Sequence, residues 1–378
     1  MELVCACVRW PIGQEERLDI VQRSLGITNW SLVRMLIVRH RVAGLAANAL
    51  LAAAPSLPDD MKAWCAEWKN KVGFSELAAA GEAKRLVRLF AENEIKARLL
   101  KGPAVSIAAF GRLGLRINRD LDILVDIAHR ETAGTLLETL GYVRVEPGSQ
   151  ISDAAYRDWL QHRKDFVYAR PGGMLVEIHW RLFNNTALLP KGHLSPPEQI
   201  QSGPFLFDTL SPDDNILYLC VHGAEHAWSR LKWLADLAAL LQQRDSTSLA
   251  KLLIKARHER VYPAVGSAVL LCARHLGLRI SPGMVGDLQG SLRIRLLTSI
   301  AEKSLFEGDG RELEEQRFGT TWKNLSHYLM ASGWGFLRRE MRFDLMDISA
   351  AGLSEKYRAF GPFARPAAFI ERKLRRNR

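Results

Sequence analysis

Asp120 and Asp122 stand two residues apart at the head of the apolar run Leu121, Ile123, Leu124 and Val125. The run is rich in strand formers, and alternate residues of a strand project to one side roughly 6–7 Å apart. Both carboxylates can therefore converge on one or two hard cations while Leu121 and Ile123 enter the core. Upstream, Ala97 to Leu100 reads as a strand that stops at Lys101-Gly102-Pro103, after which Ala104 to Phe110 resumes at helical spacing. Pro103 suits a first helical turn, Gly102 permits close approach of backbone to ligand, and the free N–H groups of a helix start favour an anion. A triphosphate is the natural anion, although the spacing of a Walker P-loop is absent. Taken alone, the pair equally suits a solvated strand end, and Lys101 an ordinary surface lysine.

A third carboxylate comes from Val176 to Trp180. Val176, Ile178 and Trp180 share one face of a strand and Glu177 and His179 the other, so Glu177 can reach the face of the two aspartates. His179 reads as a histidine that orients Glu177, since oxygen ligands suit magnesium better than imidazole does.

A rival chemistry is written at His222-Gly223-Ala224-Glu225-His226, which matches the inverted zincin pattern. There two histidines one helical turn apart bind zinc and the glutamate is a general base, as in a metallopeptidase. That reading needs a third ligand, for which Glu302 and Glu312 are the candidates, and it leaves Lys101, Asp120, Asp122 and Glu177 without a role.

The ordered set Leu99-Leu100-Lys101-Gly102-Pro103, Leu115-Arg116 and Asp120 to Val125 resembles the core signature of the uncharacterised nucleotidyltransferase family, a branch of the DNA polymerase beta-type superfamily. Val176 to Trp180, His222 to His226, Arg230 to Leu237 and Arg39 to Val42 extend the resemblance over Arg34 to about Leu240. Two departures stand out: Asn118 and Arg119 replace a small hydroxyl residue and a small residue before the first aspartate, and Glu177 replaces a frequent aspartate. The resemblance implies transfer of an NMP from an NTP, ATP above all, with Mg2+ or Mn2+ held by Asp120, Asp122 and Glu177. Glu177 would complete the second metal site and take the acceptor's proton. Lys101 and Gly102 would hold phosphate oxygens, and Arg116 would stabilise the leaving pyrophosphate. Asn118 and His179, with His222, His226 and Arg230 from the helical part, would complete the nucleotide site. The acceptor is expected to be a protein, peptide or small molecule, with nucleic acid not favoured because no recognised nucleic-acid module is present. A catalytically silent binding or regulatory protein on the same fold is the alternative.

The elements that position these residues follow from periodicity. Apolar positions at helical spacing run from Arg17 to Leu51 and again from Met61 to Ala91, so a helical arm occupies residues 1–95. Strand, helix, strand, a helix at Arg130 to Leu140 and strands at Tyr142 to Val145, Asp165 to Ala169 and Met174 to Trp180 form a small mixed-sheet α/β domain over 96–189. Residues 190–212, rich in Pro, Gly and Ser, read as a linker, and 213–378 as a C-terminal helical domain whose strongest helix spans Asn215 to Gln243. The class is thus α+β. Further helices break at Ser281-Pro282-Gly283 and near Gly308 to Gly310, and Trp322, Trp334 and Phe336 read as core.

With 378 residues, 48% hydrophobic and 25% charged, the composition is that of a globular protein. Five cysteines without a C-x-x-C pair argue against a disulfide framework or zinc ribbon. No run is long enough for a bilayer span, and Leu3 to Val8 lacks the basic preface of a signal peptide, so a cytoplasmic protein is expected. A net charge of +11 implies attraction to polyanions, and the basic end 371–378 reads as a frayed tail.

Overall fold

The computed structural model describes residues 1–53, 57–148, 150–307 and 319–345. The chain opens with α1 (Glu2–Cys7), α2 (Gln14–Leu25), α3 (Trp30–Arg39), α4 (Ala43–Ala53) and the long α5 (Asp59–Glu92). Then come β1 (Arg98–Leu99), α6 (Pro103–Phe110), β2 (Asp120–Leu124), α7 (Arg130–Thr139), β3 (Val143–Glu146), α8 (Asp153–His162), β4 (Asp165–Ala169) and β5 (Leu175–His179). A hairpin of β6 (Glu198–Ser202) and β7 (Phe205–Thr209) leads into α9 (Pro212–Glu225), α10 (Leu231–Leu241), α11 (Ser246–His258) and α12 (Tyr262–His275). The described chain ends in α13 (Pro282–Gly290), α14 (Leu292–Phe306), α15 (Gly319–Leu329) and α16 (Trp334–Leu345).

The strands form one mixed sheet in the order β3-β4-β5-β2-β1-β7-β6. The strand carrying the two aspartates sits at its centre, antiparallel to β1 and parallel to β5. Alternation along β2 sends Leu121, Ile123 and Val125 into a core shared with Val176 and Ile178 of β5, Ala83, Leu86 and Phe90 of α5 and Leu137 of α7. On the opposite face Leu124 and Leu100 join a larger core built by α1 to α4 and α9 to α14. The N-terminal helices therefore do not stand apart as an arm but share a core with the C-terminal ones. Burial on both faces explains why β2 reads as a nearly unbroken apolar run after Asp122.

Three expectations change. The stretch 190–212 is not a plain connection, because β7 pairs parallel to β1 through Leu99 and Thr209, and the Thr209 hydroxyl donates to the Leu99 carbonyl at 2.6 Å. Its Pro-, Gly- and Ser-rich flanks hid two short strands whose pairing partner lies far upstream. Trp334 is 77% exposed, since Phe336 and Glu340 face the core and a residue two positions away on a helix points elsewhere. The break near Gly308 to Gly310, Glu312 and the tail 371–378 lie outside the described residues.

The third change bears on the site. Asn215 to Gln243 is two helices, because α9 ends at Glu225 and Ala227 and Trp228 take left-handed φ values of 47° and 51°. Trp228 N–H then returns to the Gly223 carbonyl at 2.8 Å and lays its indole on the Gly223 Cα, where a Cβ would meet ring atoms at 2.5 Å. Gly223 is thus the residue that permits the turn. Gly223→Ala should lower stability by about 1–3 kcal/mol through overpacking, read as a reduced midpoint in chemical denaturation; an unchanged midpoint would mean that the indole moves aside without cost.

Candidate active site

Glu76 of α5 positions the segment that delivers the first aspartate. Its carboxylate is fully buried and accepts the backbone N–H groups of Gly114, Leu115 (2.9 Å) and Arg116 (3.1 Å), along with the Ser106 hydroxyl and the Asn118 amide at 3.2 Å. Asn118 also receives Arg116, whose Nε donates to Asp236 of α10 at 2.9 Å. Asn118 therefore braces this segment, and it is not among the described residues that line the cavity below. Arg116 does line that cavity, with its charge held in an ion pair with Asp236.

The parallel register of β2 and β5 sets Asp122 opposite Glu177. His179 Nε2 lies 3.2 Å from Asp122 Oδ1 and 3.0 Å from Glu177 Oε2, so the imidazole bridges both carboxylates. Lys101, from the turn after β1, brings Nζ to 2.8 Å from Asp122 Oδ1. Gly102 follows it with φ of 66° as the N-cap of α6, the left-handed backbone that only glycine adopts freely. On the next strand Asp165 is paired with His179, and Lys164 forms an ion pair with Asp165 and approaches Glu177 Oε2 to 3.6 Å. Burial alone would raise the Asp122 carboxyl, but Lys101 and His179 outweigh it and hold it well below the usual carboxylate range. Burial likewise opposes the charge on Lys101, and Asp122 reverses that and keeps the ammonium charged.

Among the described residues, Asp122, Glu177 and His179 form the only group of three metal-type ligands whose donor atoms all lie within 4.8 Å of one another. Asp122 Oδ2 is buried without a hydrogen-bond partner, so the carboxylate keeps unused acceptor capacity. A hard carboxylate left open in that way fits a hard divalent ion. Asp120 lies outside the close group and lines the cavity.

That cavity, of about 470 Å³, opens between the sheet and the paired helices α9 and α10. Arg41, Lys101, Arg116, Arg119, Lys164, Arg230, Lys232 and Lys323 line it and outnumber Asp120, Glu177 and Glu225. Arg41 enters because the Arg39-His40 backbone is fastened to the start of α10: Lys232 N–H donates to the His40 carbonyl at 3.2 Å, and Arg230 donates to the Arg39 carbonyl. Lys232 donates to the Ile117 carbonyl at 2.9 Å, and burial with Arg116 beside it lowers its ammonium to about 7.

His222 and His226 line the same cavity, their rings 4.8 Å apart and packed with Trp233. Burial first, and then nearby lysines, hold both imidazoles neutral. Among the described residues no group of three metal-type ligands includes His222 or His226. Glu302 is taken by Arg274 and His275 at 3.0 Å each, and α9 has already ended at Glu225.

Residues 27–277 match a family described as uncharacterised nucleotidyltransferase. The chain belongs to that family. The matched region runs from just before α3 to just after α12 and holds every site residue named above except Lys323. No curated protein matches the chain. No helix among the described residues is long and apolar enough to cross a membrane. Within this family frame Lys164, Asp165, Lys232 and Glu76 are the residues that sequence reasoning passed over. Lys164-Asp165 was legible only through the β4–β5 register, while Glu76 in an amphipathic helix looks like any solvated glutamate.

Lys101 is the cation that makes the buried Asp122 tolerable. Lys101→Met should cost about 3 kcal/mol by leaving that charge uncompensated, and added magnesium should restore more stability to the variant than it adds to the wild type. Denaturation with and without the ion measures both, and a variant as stable as the wild type would remove Lys101 from this role.

Proposed function

We propose that the protein is a metal-dependent nucleotidyltransferase that moves an NMP from an NTP to a hydroxyl or phosphate acceptor on a protein, peptide or small molecule. The observation that carries the reading is the close group of Asp122, Glu177 and His179, whose Glu177 lines, with Asp120, a cavity walled by cations. Membership of the family supplies the reaction class.

In this reading Asp120, Asp122 and Glu177 hold magnesium or manganese, with His179 fixing the orientation of the last two. The ion supplies charge neutralisation at the reacting phosphate. Lys101 and the N–H groups at the start of α6 receive phosphate oxygens, since a helix start offers unpaired donors beside a fixed positive charge. Arg41, Arg119 and Lys232 give the triphosphate further cationic walls, and Arg116 keeps its guanidinium in place through Asp236. His222, His226 and Arg230 border the same space from the helical side. ATP is the favoured nucleotide. The acceptor is assigned away from nucleic acid because the sequence carries no recognised nucleic-acid module and its positive charge is diffuse.

A binding or regulatory protein on this fold would share the cavity but not the turnover. The test incubates the purified protein with magnesium and α-labelled nucleotides, alone and in cell extract, and follows label and pyrophosphate. Glu177→Gln should keep folding and nucleotide binding and lower transfer by at least on the order of 10²-fold. Asp122→Asn should weaken both binding and transfer. A Glu177→Gln protein with the wild-type rate would move the third carboxylate elsewhere, and nucleotide binding without any transfer would favour the regulatory reading.

A further inference from the structure

Among the described residues that line the cavity, Glu225 is the carboxylate that comes from the helical wall instead of the sheet. Its side chain makes no hydrogen bond and no ion pair within the described residues, in contrast to Glu177, which is engaged by His179 and Lys164. Its position is nevertheless fixed. Glu225 closes α9, where the Ser326 hydroxyl donates to the Ala224 carbonyl at 2.6 Å and His327 Nε2 lies 2.7 Å from the Glu225 carbonyl oxygen. His327 is set in turn by Glu340 at 3.3 Å, and Glu340 by the Asn185 amide at 2.8 Å. A carboxylate held on a rigid backbone and unpaired in the lining of a reaction cavity has the properties of a general base.

We propose that Glu225 is the catalytic base that takes the acceptor's proton. The inference rests on the transferase reading and moves proton removal from Glu177 to the opposite wall. The acceptor oxygen bonds to the α-phosphorus as its proton passes to a Glu225 carboxylate oxygen. The bond from that phosphorus to the α–β bridging oxygen breaks, and pyrophosphate leaves with the electron pair.

The surroundings suit this task. Burial raises the Glu225 carboxyl to about 7, while His327 and Lys164 lower it, Glu340 raises it and Lys101 lowers it. His222, on the same helix, and His226, just after it, are held neutral, and Lys323 of α15 lines the same cavity. A base poised near the operating pH combines a usable ionised fraction with the strongest affinity for the proton. Because the folded value is raised, Glu225 is ionised and active above about 7 and protonated and inactive below it.

The experiment uses the full chain with magnesium and ATP, with water as the surrogate acceptor, and reads AMP and pyrophosphate across pH. Wild-type kcat should rise with pH and level off above neutrality. Glu225→Gln should lower kcat on the order of 10²-fold, leave KM for ATP unchanged and abolish the rising limb; Glu225→Asp should recover part of the rate and the limb. Carboxyl titration by difference infrared spectroscopy, wild type against Glu225→Gln without nucleotide, should place the group near neutrality. A Gln variant that keeps the wild-type rate, or loses rate but keeps the limb, overturns the assignment while leaving the transferase reading intact. So does a titration at the ordinary glutamate value of about 4.3. Wild-type protein that turns over no nucleotide with water or with cell extract overturns the transferase reading and this assignment together.

Discussion

A single buried anion holds the catalytic half of the molecule in register. Glu76 is sealed from solvent, and five donors from three parts of the chain converge on it: three backbone N–H groups of 114–116, the Ser106 hydroxyl of α6 and the Asn118 amide. A carboxylate in that setting is stable only while its donors stay together, since a buried charge deprived of partners is very costly. The segment between α6 and β2 is irregular, yet it is pinned along its length. On its far side α4 comes so close that a Cβ on Gly44 would stand 2.4 Å from the Leu115 carbonyl oxygen. From there Arg116 reaches Asp236 and Lys232 reaches Ile117, so the wall of the cavity and the strand of aspartates are fastened to one another through the same few residues.

The site is organised around a balance of charge. Two lysines lie against the sheet carboxylates, Lys101 at Asp122 and Lys164 between Asp165 and Glu177, and further cations line the cavity above them. Carboxylates gathered around one point repel one another, and in this chain the lysines offset that repulsion from within the protein. The cavity above is left with a positive surplus, which is what a polyanionic substrate requires.

The parts legible in the sequence were those governed by local period. Alternation placed Asp120 and Asp122 on one face and Glu177 with His179 on another strand's matching face, and the Lys-Gly-Pro turn announced a strand feeding a helix. What escaped depends on contacts between distant segments. The bracing of Asn118 was not legible because its partner, Glu76, is 42 residues away. The helix through His222 and Trp233 looked continuous because the residues that break it, Ala227 and Trp228, have no helix-breaking chemistry of their own; the signal was Gly223, whose missing side chain admits an indole. Likewise β6 and β7 were too short to announce themselves, and their place in the sheet is set by β1.

The pairing of β7 with β1 also governs how the molecule comes into being. β1 has only two residues, and the segment that covers its second edge, Thr209, lies 110 positions downstream of Leu99. During synthesis β2 can find β1 early, but β5 arrives later and β7 last. Until then the sheet has an open edge beside the very turn that carries Lys101. Such long-range closure is entropically expensive and slow compared with helix formation. The helices of the N-terminal region can therefore form well before the cavity exists, and the pocket is among the final features to mature on the nascent chain.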